Sequence, residues 1–317
     1  MPDPRTLTLL AALLVATHPA HAAKCVYISS YHKGYAWSDG VERALLKTLD
    51  GHCEVTSFDM DSKRQRDEES IQQAVTKARQ LIDSIQPDVV IASDDIASKY
   101  LIVPHYRDAD IPFVFCGVNW TVEQYGYPFS NVTGMIEVAA IEPMFDKAAA
   151  ISGKIKHAVY IGADTLTEQK NLQRFQDAGK RNNIRITSRL VPTLQEWIDA
   201  YAEGQSADLI IVGSNAGIQD WDRDEVQSAI NAVSGTLSVT NHGWMMPYTM
   251  FGMTKIPEEH GEWAAKVAIE IMNGTRPADI PIIPNRNFDI IVNQPLLDSA
   301  QIRLPEFIRL KAQLYHP

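Results

Sequence analysis

Two short stretches of the sequence decide its fold: PDVVIASDD at 87–95 and ADLIIVGSN at 207–215. Each is a continuous apolar run that ends in small polar residues, which is typical of a strand buried on both faces of a parallel sheet. Amphipathic segments lie between such runs, and the clearest is RDEESIQQAVTKARQLIDSIQ at 66–86, whose apolar residues share one helical face. This alternation of strand and helix predicts doubly wound α/β sheets.

The alternation occurs twice along the chain, once in each half. The predicted strands are 25–31, 54–60, 88–93, 112–118, 157–162, 185–191, 207–213 and 236–241. Two Rossmann-like lobes joined by a hinge therefore fit better than one large sheet, and the segment at 131–143 would join them. Further strand-like and helix-like segments follow residue 245, which predicts that the chain crosses back between the lobes.

The first 22 residues have the pattern of a secretory signal peptide. Arg5 precedes an apolar core, and Ala20-His21-Ala22 matches a signal-peptidase site, so we expect cleavage after Ala22. Lys24 stands where a lipoprotein would need a small residue, which argues against lipidation at Cys25. The sequence thus predicts an exported, periplasmic protein that is not lipidated.

Composition and motifs exclude several classes of function. The formal net charge is −10 and no basic stripe is present, so nucleic acid is not an expected partner. Nucleotide-binding loops, the hydrolase elbow and metalloprotease motifs are absent, and the histidines lack ligand spacing, so we predict no cofactor and no metal site. Ser30 and His32 with Asp94 or Asp95 leave an exported hydrolase as an alternative. Because such sets arise in almost any α/β sequence, we predict no catalytic residue.

The three cysteines allow one disulfide. If the first sheet has the strand order 2-1-3-4, Cys25 and Cys53 lie at the same end of neighbouring strands and could pair. Closing that loop would contribute roughly 3 kcal/mol. Cys116, inside the fourth strand, is expected to be a buried free thiol. The alternative is three free, buried cysteines.

Polar and aromatic residues follow the predicted strands, in SSYHKGYAW, ASDD, GVNW, GAD, GSNAG and TNHGW. Ligands of open α/β sheets bind outside the carboxyl ends of the strands. Some of these side chains could instead cap helices, pack in the core or, for Glu137, lie solvated at the hinge. The candidate ligand-binding residues are Ser30, Tyr31, His32, Tyr35, Trp37, Ser93, Asp94, Asp95, Asn119, Trp120, Glu137, Asp164, Asn215, Asn241, His242 and Trp244.

These residue types indicate a class of ligand. Rings can stack on a flat molecule, hydroxyls and helix amides can bind a carboxylate, and the acids can bind an amine. We count no arginine at any strand exit, which disfavours phosphates and dicarboxylates. The leading expectation is an amino acid or a related amine with a flat side chain, and a sugar or nucleoside comes second.

Three segments resemble a family of extracytoplasmic substrate-binding proteins of ABC transporters: PFVFCGVNWTVEQYG at 112–126, NVTGMIE at 131–137 and the tail at 274–312. The family has the type I periplasmic binding fold and includes members associated with tryptophan or tyrosine uptake. The resemblance implies an N-terminal lobe of residues 23–134 plus 246–284 and a C-terminal lobe of 135–245 plus 285–317. The segment at 248–274 would belong with the first lobe and NFDIIVN, at 287–293, with the second.

The resemblance also implies a function. A small-molecule ligand would bridge the lobes and shift the protein to a closed form, which an ABC permease in the inner membrane would recognise. The protein would act as a monomer and would not be an enzyme. Two alternatives stay open: a ligand-binding accessory of a membrane sensor, either a kinase or a cyclase, and a structural lobe pair without a ligand.

Overall fold

The structure is a computed structural model that describes residues 23–316. The predicted signal peptide, residues 1–22, lies outside the described residues. Within residues 23–316, no helix combines the length and the apolar character that crossing a membrane would need.

Strands and helices alternate through most of the described chain. The strands are β1 (Ala23–Ser29), β2 (Cys53–Asp59), β3 (Val89–Ser93), β4 (Phe113–Asn119), β5 (Val132–Glu137), β6 (His157–Ala163), β7 (Arg185–Val191), β8 (Leu209–Val212), β9 (Ser238–Thr240), β10 (Phe251–Lys255), β11 (Ile283–Pro284), β12 (Phe288–Val292) and β13 (Gln313–Leu314). The helices are α1 (Ala36–Leu49), α2 (Glu68–Ile85), α3 (Asp94–Ile96), α4 (Val103–His105), α5 (Ile141–Ser152), α6 (Leu166–Arg181), α7 (Leu194–Gly204), α8 (Arg223–Val233), α9 (Pro257–Met272), α10 (Gln294–Ser299) and α11 (Glu306–Arg309). A π-helical stretch, Ala97–Ile102, connects α3 to α4.

The strands form two sheets with helices packed on them, which confirms the predicted α/β class. The first sheet has the order β11-β5-β4-β3-β1-β2 and all its strands are parallel. Its first four strands therefore have the predicted order 2-1-3-4. The second sheet has the order β13-β12-β10-β9-β8-β6-β7, and the pairing of β10 with β12 is antiparallel.

Two elements differ from the expected lobe boundaries. β10 was expected in the first lobe, but it pairs with β9 and β12 in the second sheet, where Phe251 lies opposite Val239. The chain leaves the second sheet only after Lys255, where Pro257 begins α9, so the crossing comes one element later than expected. β5 lies wholly in the first sheet, although the expected boundary after Gly134 cut through it.

Helix α9 returns to the first sheet and packs against α1, β3 and β4. The contact with α1 is close at Gly261, where an added Cβ would lie 2.1 Å from the backbone oxygen of Val41. Only glycine allows the two helices to approach in this way. The first sheet is thus covered by a helix encoded about 200 residues after α1.

The predicted disulfide is present. Ala23 pairs with Cys53 across β1 and β2, and Cys25 lies two residues further along β1 on the same face. The Cα atoms of Cys25 and Cys53 are 5.9 Å apart and the two sulfurs are bonded. Cys116 is a buried free thiol, as predicted.

Three segments connect the two sheets, and they are bonded to one another. Glu137 at the end of β5 forms a buried ion pair with Lys255 at the end of β10. The amide of Val138 donates to the side-chain oxygen of Asn285 at 2.7 Å, and the Asn285 amide donates to the Ile136 carbonyl at 3.1 Å. The connections are therefore held together at the point where the sheets could rotate.

Candidate functional site

The carboxyl ends of the two sheets face a common cavity of about 650 Å³. His32, Tyr35, Lys63 and Arg64 line it from the segments that follow β1 and β2. The second sheet contributes residues from two segments. They are Asn215, Ala216, Gly217, Ile218, Gln219, Trp221, Trp244 and Tyr248. The cavity is thus lined from both sides by strand exits, as the sequence predicted for a ligand site.

A group of aromatic rings joins the two sides of this cavity. The ring of Trp244, from the second sheet, lies 5.4 Å from Tyr35, 6.5 Å from Trp37 and 4.6 Å from His242 between centroids. His260 of α9 extends the group, 5.1 Å from Trp37. Such rings provide flat apolar surfaces at separations typical of aromatic pairs.

Asp94 lies beside these rings with one carboxylate oxygen unpaired. Its Oδ1 accepts a hydrogen bond from Trp37 Nε1 at 3.0 Å, whereas Oδ2 is buried and has no partner within residues 23–316. Burial raises the pKa of Asp94 well above its usual range, and the nearby carboxylates of Glu137 and Asp95 raise it further. The residue has a φ of +71°, a conformation that aspartate and asparagine tolerate better than most residues.

Other polar atoms near the rings also lack partners among the described residues. They are both polar atoms of the Asn241 side-chain amide, Trp244 Nε1, His242 Nδ1 and His260 Nε2. An unpaired buried polar group costs roughly 1–3 kcal/mol. Buried polar atoms without hydrogen-bond partners are therefore concentrated beside the aromatic rings.

Glu168, the first acid of α6, is equally buried but has several partners. Tyr160 donates to its Oε2 at 2.7 Å, the Ser214 amide to Oε2 at 2.9 Å, and Asn171 to Oε1 at 3.0 Å. His242 Nε2 is 3.6 Å from Oε1. Burial alone would raise the pKa of Glu168, but the contacts with His242, Tyr160 and Asn171 outweigh it and hold the pKa at about 2.

Two glycines make room for the Glu168 carboxylate. An added Cβ would lie 2.0 Å from its Oε2 at Gly213 and 2.5 Å from the same atom at Gly162. These glycines lie in or next to the strands β6 and β8. The strand exits of the second sheet are thus shaped around an acid that the sequence analysis did not identify.

Two other predicted acids form ion pairs within the chain. Asp95 Oδ1 accepts from Tyr125 at 2.7 Å and pairs with Lys170 of α6, while its Oδ2 accepts from the Asn119 side chain at 2.8 Å. This pair joins a residue that follows β3 of the first sheet to a helix that packs on the second sheet. Glu137 is paired with Lys255, as described for the connections. Burial raises the pKa of Glu137, and the Lys255 ammonium opposes that rise.

The remaining predicted residues have varied surroundings. Ser30 is buried; its hydroxyl donates to the Ser93 carbonyl and accepts from the Ala97 amide at 2.9 Å. Trp120 donates to Asn171 at 2.9 Å and lines a separate small cavity. Tyr31 and the exposed Asp164 line a second cavity between the sheets, which is described below.

The sequence analysis missed the basic segment SKRQR at 62–66, which closely follows β2. The expectation that no arginine stands at a strand exit is wrong, because Arg64 lines the first cavity and Arg66 the second. Lys63 lines both cavities and is only 6% exposed. Its ammonium lies 4.5 Å from the centroid of the Tyr31 ring and 5.8 Å from that of Tyr35. Burial lowers the pKa of Lys63.

Comparison by sequence identifies no relative: no protein-family model matches the chain, and no curated protein matches it either. Comparison with solved structures gives many matches. One is described as the ABC domain in complex with L-Trp from Streptococcus pneumonia; it has a TM-score of 0.74 at 13% identity and covers 93% of this chain and 99% of its own.

Two other matches were solved with a different ligand or without one. A ligand-free, open substrate-binding protein with adhesive properties from Clostridium difficile has a TM-score of 0.68 at 15% identity, with coverage of 93% and 99%. A carbohydrate transporter from Acidothermus cellulolyticus in complex with myo-inositol has a TM-score of 0.59 at 13% identity, with coverage of 89% and 98%. At these identities the likeness concerns the fold, and the chain has the two-lobed type I periplasmic binding fold of substrate-binding proteins.

Proposed function

We propose that this protein is an exported solute-binding protein that holds a small organic amine between its two lobes. The observation that carries the proposal is the buried, unpaired Oδ2 of Asp94 beside the aromatic rings of Tyr35, Trp37 and Trp244. An ammonium group would give this carboxylate a hydrogen-bonding, oppositely charged partner, and opposite charge favours its ionised form. The rings would cover a flat side chain.

The favoured ligand is an amino acid or a related amine with a flat ring. The rings of Trp244 and Tyr35 come from different sheets and touch edge to face, so a flat group packed against both would contact both lobes. The L-Trp bound to the protein of the same fold from Streptococcus pneumonia is consistent with this class. A sugar or nucleoside is the second candidate, because the unpaired Asn241 amide and His242 ring could hydrogen-bond to hydroxyl groups.

The lobes proposed here follow the sheets, with α9 in the first lobe and β10 in the second. Contacts across the cavity would form when the lobes close. They include the ion pair of Asp95 with Lys170 and the hydroxyl contact of Tyr31 with Thr167 at 3.3 Å. A ligand that bridges the lobes would shift the population toward this closed arrangement.

A partner protein would recognise the closed arrangement in the periplasm. An ABC permease in the inner membrane is the proposed partner, the protein is proposed to be a monomer, and an accessory role for a membrane sensor remains the alternative. A hydrolase based on Ser30 loses its support, because that hydroxyl is buried and engaged with Ser93 and Ala97.

The test is a thermal-shift screen of amino acids, amines, nucleosides and sugars, followed by calorimetry on the best compound. A ligand that binds only the native protein must raise its melting temperature. We expect an amine with a flat ring to do so, and Asp94→Asn to weaken its affinity tenfold or more. The exposed Asp110→Asn, also in the first half of the chain, is the matched control and should bind normally. The proposal fails if only amine-free compounds bind, or if Asp94→Asn binds the amine as well as the control does.

A further inference from the structure

A second cavity of about 340 Å³ also lies between the two sheets. Tyr31, Lys63, Arg66 and Lys99 contribute to it from the first sheet's side. The second sheet's side contributes the segment 164–167 and Gln169, at the start of α6. Lys63 belongs to both cavities, so the two spaces meet at its side chain.

The charges around this cavity favour an anion. Lys63, Arg66 and Lys99 are cationic, and they face two acids, Asp95 and Asp164. The Asp95 carboxylate is already neutralised by Lys170, whereas Asp164 is exposed and accepts a hydrogen bond from Gln169 at 3.1 Å. The cavity thus has a surplus of positive charge, although the whole chain carries −10.

The start of α6 adds hydrogen-bond donors from the opposite lobe. Leu166 and Thr167 are the first residues of this 16-residue helix, and amides at these positions have no acceptor within the helix. The Thr165 side chain accepts a hydrogen bond from the amide of Glu168, the third residue of the helix. Free amides and the helix dipole make such an end favourable for anions.

Lys63 is the independent observation that indicates a ligand here. It is 94% buried, and within residues 23–316 its ammonium has no hydrogen bond and no ion pair, only ring contacts with Tyr31 and Tyr35. A buried ammonium without an anionic partner is unfavourable. An oxyanion placed between Lys63 and the first amides of α6 would be bound from both lobes at once.

We propose that the second cavity is a binding subsite for a carboxylate or a similar oxyanion, held by Lys63, Arg66 and the N-terminal amides of α6. The anion is either the acid group of the molecule bound in the first cavity or a separate small anion. This inference does not depend on an amine binding at Asp94. It corrects the expectation that anionic groups are disfavoured.

The first arm of the test measures separate anions. Sodium acetate and sodium sulfate replace sodium chloride at constant ionic strength, and the melting temperature is followed for the purified protein and its variants. Sulfate also stabilises proteins in general through exclusion from their surface, so the difference between variants is the readout. Specific stabilisation of the wild type that is lost in Lys63→Met and reduced in Arg66→Gln supports a separate anion.

The second arm measures an acid group carried by the ligand. The affinities of tryptophan and tryptamine, and of phenylalanine and phenethylamine, are compared because each pair differs only in the carboxylate. If the acid belongs to the ligand, the wild type prefers the amino acid tenfold or more, Lys63→Met loses most of that preference, and Lys63→Arg keeps it.

Lys77→Met, on the exposed face of α2, is the matched control because it removes the same charge elsewhere in the first lobe. The inference is overturned if the wild type shows neither an anion response nor a preference for the acid, or if Lys77→Met loses as much as Lys63→Met. If Lys63→Met does not fold, Lys63→Arg and the exposed Arg66→Gln decide the result. An anion response that persists in Asp94→Asn while no amine binds would reject the proposed amine site alone.

Discussion

The two lobes each bury an acid where their strands end, and the two acids have opposite surroundings. Asp94 has a single donor, Trp37, and burial raises its pKa. Glu168 has donors from Tyr160, Asn171 and the Ser214 amide, and its pKa is about 2. Burial is therefore common to both. The contact with His242 and the other donors favour the ionised form of Glu168, whereas the carboxylates of Glu137 and Asp95 oppose ionisation of Asp94.

We propose that the difference separates a structural acid, Glu168, from a ligand-binding acid, Asp94. The Glu168 carboxylate is satisfied within its own lobe and fixes the exits of β6 and β8 around it. The Asp94 carboxylate has a lone pair that nothing in residues 23–316 uses. We expect substitution of the first to reduce stability and substitution of the second to reduce ligand binding.

The largest expected effect is that of Glu168→Gln. A pKa of about 2 in place of the ordinary 4.5 sets an upper bound of roughly 3 kcal/mol on the stability at neutral pH, because His242, with a pKa of about 4, is uncharged there. Because the pKa in the folded state is depressed, this contribution is present above pH 4.5 and is lost as the pH falls toward 2. Chemical denaturation of wild type and variant from pH 7 to pH 3 should show a difference that shrinks with acid. A difference that does not depend on pH would contradict the assignment.

Gly213→Ala tests the space that the Glu168 carboxylate needs. The added methyl would lie 2.0 Å from Oε2, so the acid or the strand exit must move, at a cost of roughly 2 kcal/mol. Gly235→Ala is the control, because an added Cβ there meets no atom within 4 Å. Equal stability of the two variants in urea titrations would show that Glu168 is not held tightly.

A change of pH from 6.5 to 5 should reduce stability through His260. Burial, with the Lys255 charge, lowers its pKa from 6.5 to about 3, so the folded protein keeps it neutral. The contribution of the neutral His260 imidazole to stability is fully present above pH 6.5 and is lost as the pH falls toward 3. Between pH 6.5 and pH 5 the loss is about 2 kcal/mol. His260→Asn should flatten the denaturation profile by that amount. A wild-type profile that is already flat would contradict this expectation.

The smallest effect on stability, and one of opposite sign, is expected for Asp94→Asn. Burial opposes ionisation of Asp94, so above pH 3.8 the acid destabilises the fold, and a neutral amide removes that cost. Asparagine can keep the Trp37 hydrogen bond and tolerates the positive φ. Because the asparagine amide would still leave one buried polar atom unpaired, the melting temperature at pH 7 should rise only slightly, and the gain should vanish below pH 3.8. A loss of stability comparable to that of Glu168→Gln would show that both acids stabilise the fold, and would contradict the proposed difference between them.

The sequence predicted most of the fold because buried strands leave a local signal. The apolar runs at 87–95 and 207–215 became β3 and β8. The disulfide followed from assuming the strand order 2-1-3-4 for the first sheet, and both are present. The position of β10 could not be read in this way. Its strand pattern was visible, but sheet membership depends on where the chain crosses, and only pairing with β9 and β12 determines that.

The candidate site was predicted only in part, for a physical reason. Polar residues at strand exits were visible, but their partners are remote in sequence. Lys170 lies 75 residues from Asp95, and Lys255 lies 118 residues from Glu137. Glu168 lies in the first turn of α6, five residues after the end of β6, so nothing in its local pattern marks it as a site residue. The basic segment 62–66 had an available signal, since it follows the predicted strand 54–60 within a few residues.

The close contact of α1 with α9 has a consequence for the order of folding. Val41 and Gly261 must meet before the first sheet is covered, although about 220 residues separate them. During synthesis, which begins at the N-terminus, the first lobe cannot finish folding until most of the second lobe has been made. Chains truncated before α9 should therefore expose the apolar face of the first sheet and be prone to aggregation and proteolysis.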